Sequence, residues 1–141
     1  MYKKITSLIA LLLTNLLAFS QANLEITEIW PGNDPGTNLT SDWFEITNTG
    51  TTAWISGIDG DLYYDDDSQD PSAADIINGI VDIQPNERVI IIVGDLTDVD
   101  QFNTIWSPAY DLTNIEIGYT DGSGLGQGGD GVTLWIGDPN T

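Results

Sequence analysis

The chain has 141 residues, with 22 Asp and Glu against 3 Lys and Arg, no His and no Cys, for a formal charge of −19. Without imidazole or thiol it builds no Ser-His-Asp or Cys-His catalytic arrangement, no imidazole or thiolate zinc site and no disulfide. Lys3 and Lys4 lie at the very start, and Arg88 alone cannot neutralise a run of phosphates, so nucleic acid and anionic membrane surfaces are excluded as partners.

Residues 1–22 are expected to be a secretory signal peptide: Lys3 and Lys4 give a positive start, and Leu8 to Leu17 is an apolar run broken by Thr14 and Asn15. Ser20-Gln21-Ala22 offers small residues for cleavage after Ala22, with cleavage after Ser20 as the second choice. The run is short for a membrane anchor. Removing 22 of 141 residues leaves 119 with a charge of −21 (22 acids, one Arg), enough for one domain over 23–141. Leu24 to Trp30 predicts a first strand, stopped by Pro31-Gly32-Asn33-Asp34-Pro35-Gly36. Asp42 to Asn48 predicts a second, with Phe44 and Ile46 on one face and Trp43, Glu45 and Thr47 on the other.

Ala53 to Ile58 and Asp61 to Tyr64 predict two short strands, and Asp65 to Ala74 a polar loop. Ile76 to Ile83 and Arg88 to Val93 predict a hairpin turning at Gln84-Pro85-Asn86-Glu87, its second strand buried on both faces. Thr97 to Trp106 predicts one short helix, capped by Thr97 or Asp98, lying over one end of the sheets. Ile115 to Tyr119 and Val132 to Ile136 predict the last strands, joined by a flexible glycine-rich hairpin connection over 121–130. The turn signal Asp138-Pro139-Asn140-Thr141 predicts the N-terminal fragment of a longer protein, lacking its final strand.

Four stretches in this order carry a family resemblance: Leu24-Glu25-Ile26-Thr27-Glu28-Ile29, Asp42 to Asn48, Trp54-Ile55-Ser56-Gly57-Ile58, and Gly129-Asp130-Gly131-Val132-Thr133-Leu134-Trp135. Together they resemble the lamin-tail domain over most of 24–137, with Thr27 where that family commonly has Asn and Ile58 where it has an aromatic residue. The resemblance implies an all-β, immunoglobulin-like β-sandwich of the exported bacterial type. It implies a core of Phe44, Ile46, Ile55, Ile90, Ile92, Val132 and Leu134, with Glu45 pairing locally. Such modules accompany extracellular nucleases, phosphatases or esterases, whose catalytic part would here lie beyond residue 141.

Calcium is the candidate cofactor, though none is required. Asp65-Asp66-Asp67-Ser68-Gln69-Asp70 packs four carboxylates into six residues, hard oxygen donors of the kind Ca²⁺ takes. Asp65, Asp67 and Asp70 are the candidate ligands, with Asp59 or Asp61 as further donors; a solvated acidic loop is the alternative. It is not an EF-hand, because Asp70 stands where that loop needs Gly. Among five Trp and five Tyr, Trp43, Trp54 and Tyr63 or Tyr64 are candidates for an exposed row that stacks on sugars or anchors a protein; core packing is the alternative. Asn38-Leu39-Thr40 is a glycosylation sequon.

The expected function is a secreted, monomeric, non-catalytic binding or spacer module. It would meet a protein or glycan at the cell surface, with no membrane contact once the signal is removed. A calcium-dependent carbohydrate-binding sandwich and a small enzyme using paired carboxylates are the alternatives. Arg88, the remaining base, is expected to pair with a carboxylate at the sandwich edge.

Overall fold

The computed structural model describes residues 22–32 and 41–141. The expected signal peptide as far as residue 21, the sequon and most of the Pro31–Gly36 turn lie outside the described residues.

The described chain is β-rich with mixed pairing. The first sheet holds β1 (Leu24–Trp30), β2 (Asp42–Asn48), β7 (Arg88–Val93) and β8 (Glu116–Thr120), in the order β1-β2-β7-β8. β7 and β8 run parallel, joined by the crossover that contains α2 (Leu96–Trp106); the other two pairings are antiparallel. Two smaller sheets face it: β3 (Trp54–Ile55) with β6 (Asp82–Ile83), and β5 (Asp75–Ile76), β4 (Leu62–Asp65) and β9 (Thr133–Ile136) in the order β5-β4-β9.

Two hydrophobic clusters cover the two faces of the large sheet. Phe44, Ile46, Val89, Ile91 and Val93 meet Trp54, Leu62, Tyr64 and Ile83 of the small sheets. On the far side Trp43, Ile90 and Ile92 meet Phe102 of α2. The Val/Ile run of β7 follows from this, since Val89 to Val93 are buried on both faces. Ile90 and Ile92, expected beside Phe44, are buried as expected but belong to the helix-side cluster, because alternate residues of one strand point to opposite faces. Val132 and Leu134 are partly buried against the first cluster. Ile55 is not core: it is 37% exposed, and its neighbour Trp54 takes the buried position.

Other local expectations change for physical reasons. The strand over Ala53–Ile58 ends at Ile55, where the single turn α1 (Ser56–Asp59) begins and the Asp59 carboxylate accepts the Ile55 N–H at 2.8 Å. A second helical turn, of 3₁₀ type, spans Pro71–Ala73. The Gln84–Glu87 turn forms as expected, with Asn86 at φ 65° and Glu87 N–H donating to the Gln84 carbonyl at 2.9 Å. It does not make a hairpin, because β6 pairs with β3 and β7 with β2, so the turn carries the chain from one layer to the other. α2 lies across a face of the large sheet and not over an end. Its cap is Asp95, whose carboxylate accepts from Thr97 N–H and Asp98 N–H while the Asp98 side chain returns the bond to Asp95 N–H.

Buried polar side chains tie the layers together. Asn48 is fully buried; its amide donates to the Thr52 and Ile83 carbonyls at 2.8 Å each and accepts from Asn23 and Gly50 N–H. Asp42, 6% exposed, accepts the N–H of Gly32 and the N–H of Leu125, both at 2.6 Å. Tyr64 donates its hydroxyl to the Ser123 carbonyl at 2.6 Å. Burial, with Asp66 and Asp130 nearby, pushes its phenol well above the ordinary range. The 121–130 segment is therefore pinned, with Leu125 buried in the core. It connects strands of different sheets and is not a flexible hairpin connection.

Candidate functional site

The helix side of the large sheet is not sealed from end to end. Between β1, β2, β7 and the α2–β8 segment lies a cavity of about 460 Å³. Trp30, Trp43, Phe102, Trp106 and Tyr110 line it together with Ile90, Leu112 and Ile115. Glu28, Glu45, Arg88 and Asp111 supply its polar lining.

A bulge in β1 creates this lining. Strict alternation from Leu24 would place Ile26, Glu28 and Trp30 all on the core face. The register shifts between Ile26 and Glu28, so Ile26 still opposes Ile46, while Glu28 opposes Glu45 and Trp30 opposes Trp43. One extra residue, Thr27, thus turns the second half of the strand over. Its hydroxyl bonds the Glu45 carboxylate at 2.6 Å.

The aromatic rings brace one another. Trp30 stacks on Trp43 with centroids 6.3 Å apart and 13° between planes, and Trp106 meets both nearly edge-on, at 6.2 Å each. Tyr110 leans on Trp106 at 5.6 Å and is 60% exposed. Trp43 is 8% exposed, and its indole N–H is buried without a hydrogen-bond partner. Trp43, Trp54 and Tyr64 are all buried, so they form no exposed aromatic row. Tyr63 is only half-buried and lies opposite Trp135 on the small sheet; the accessible rings of the groove are Trp30, Trp106 and Tyr110. Trp106 had a visible signal in its helical spacing from Val99 and Phe102; Trp30 had none, because a bulge leaves no mark in the order of residue types.

Two of the groove's carboxylates, Glu45 and Asp111, are held in place. Glu45 faces the Arg88 guanidinium at 3.8 Å, the local pairing expected of both. Arg88 stands at the start of an inner strand, away from either edge of its sheet. Asp111 accepts the Thr113 N–H at 3.1 Å, and hydrogen bonds from Thr113 hold its carboxyl below the usual range, so it keeps its charge.

The candidate calcium ligands go to three different tasks. Asp65 is buried and accepts from Ser68 Oγ and Asp70 N–H, both at 2.7 Å. Asp70 caps the 3₁₀ turn through Ser72, and those hydrogen bonds lower its pKa. Asp67 is exposed and faces Asp130, whose charge raises its pKa. Asp130 is lowered in turn by the N–H groups of Gly126 and Gly131. Asp59 and Asp61 bond Ile55 N–H and Ser56 Oγ. Among the described residues no group of three acidic side chains is disposed to hold a metal ion, and no helix is long and apolar enough to cross a membrane. No protein-family model, curated protein or solved structure matches this chain.

Proposed function

We propose that this chain is an exported, non-catalytic binding module, an immunoglobulin-like sandwich of lamin-tail type. In this reading it holds a cell-surface ligand, protein or glycan, in the groove between its large sheet and α2, for adhesion or to present a further domain. The observation that carries the reading is the groove itself: about 460 Å³ walled by braced aromatic rings with a few fixed charges, the usual make-up of a ligand site. The lamin-tail assignment draws support from the motif positions Asp42 and Asn48, which occupy the two ends of β2 as buried clamps. The test is retention of bead-bound protein on intact bacterial cells, with Tyr110→Ala alongside. Loss of retention in the variant supports the reading; equal retention by both proteins sinks it.

A calcium-dependent glycan-binding sandwich is the second reading, favoured by the repulsion between Asp67 and Asp130 at the acidic loop. A melting temperature that millimolar calcium leaves unmoved, relative to chelator, removes it.

A further inference from the structure

We propose that the groove takes a quaternary ammonium group, carried by the surface ligand, held against the rings of Trp30, Trp106 and Tyr110. The inference rests on the groove being the binding site and names the chemical class of its ligand. The first argument is charge. Glu28, Glu45 and Asp111 line the cavity against the single cation Arg88. Glu28 and Glu45 stand directly opposite one another on neighbouring strands, an arrangement of like charges that costs stability unless a cation lies near. Arg88 answers part of that demand through Glu45 and leaves the Glu28 side without it.

The second argument is the surface offered. Aromatic rings attract cations electrostatically, Trp most strongly, and three of them stand where a solute can reach. The third is the state of the carboxylates. Glu45 accepts from Thr27 on one oxygen and faces Arg88 as an ion pair on the other, and Asp111 accepts from Thr113, so both supply charge while part of their hydrogen-bonding capacity is already taken. A cation that carries its own N–H donors would compete for those oxygens. A quaternary ammonium has none to satisfy and gains from charge and ring contact alone. An anionic ligand is repelled, and a neutral sugar gains nothing from the local charge.

The test is calorimetric titration of the intact chain with choline, against its uncharged isostere in which a tert-butyl group replaces the trimethylammonium. Ionic strength is held constant with sodium chloride. Choline is expected to bind at least tenfold more tightly than the isostere, and Tyr110→Ala to weaken choline by about fivefold. Tyr110 is exposed, so that variant keeps its fold, which circular dichroism checks. Equal affinity for choline and isostere overturns the cation assignment. So does absence of choline binding when cell retention still depends on Tyr110, and in that case the binding module stands without it. Absence of both choline binding and Tyr110-dependent retention overturns the two together.

Discussion

Asn48 meets all four of its hydrogen-bonding demands inside the protein, two as donor and two as acceptor. Asn48→Asp removes the amide donor that reaches the Thr52 and Ile83 carbonyls and sets a buried charge against them. A loss of about 3 kcal/mol or more is expected, read from the urea midpoint. Tyr64→Phe removes only the bond to Ser123 from an otherwise apolar ring and is expected to cost about 1 kcal/mol by the same measurement. At this scale the sequence was half legible. Phe44 and Ile46 announce a buried face by alternation, and both are buried. Nothing in the order of residue types marks Asp42 and Asn48 as buried, because their partners Leu125 and Ile83 lie 83 and 35 residues away. Ile55 and Trp54 show the same gap: either can be the buried neighbour in a two-residue strand, and the pairing with β6 decides.

At the scale of elements, the bounds of β1 and β2 fall where the Pro31–Gly36 cluster and the turn-forming Asn48-Thr49-Gly50 put them. Which strand pairs with which was much less legible. The Gln84–Glu87 turn has the local chemistry of a hairpin, yet Ile83 and Val89 lie in opposing layers, and turn chemistry carries no information about layers. Parallel pairing of β8 with β7 rests on α2 crossing a face of the sheet, so the stability of α2 matters to both. Asp95→Ala removes the capping box and is expected to lower stability by about 1 kcal/mol, seen as a lower thermal midpoint. Gly118 lies in β8 where a Cβ would come within 2.7 Å of the Asn78 carbonyl oxygen. Asn78 and Tyr119 exchange backbone bonds at that point, so Gly118→Ala is expected to cost about 2 kcal/mol by forcing the bridge apart.

At the scale of the whole molecule, charge decides how stability responds to solvent. Glu116, raised by burial and by Asp82 and Glu87, and Asp67, raised by Asp130, contribute stability that is present at low pH and lost as pH rises through their folded-state pKa values. Asp70, Asp111 and Asp130 are lowered, so their contributions are present above the ordinary carboxylate range and lost as pH falls through theirs. The melting temperature, scanned between roughly pH 4 and pH 8, is therefore expected to peak in the mildly acidic part of that range. Glu116→Gln, which removes the charge that burial, Asp82 and Glu87 disfavour, is expected to raise it near neutrality and to lose that gain in acid. Added sodium chloride is expected to raise the neutral-pH melting temperature by screening self-repulsion; a flat response would show that repulsion is already absorbed locally. The Asp42 carboxylate joins Gly32 to Leu125, near the two ends of the described chain, and the second of those bonds spans 83 residues. During synthesis this bond forms only after nearly the whole domain has been made. A nascent chain stopped before Leu125 therefore has every strand of the large sheet but lacks Leu125, Val132 and Leu134, which cover its inner face, and leaves that apolar face open until they emerge.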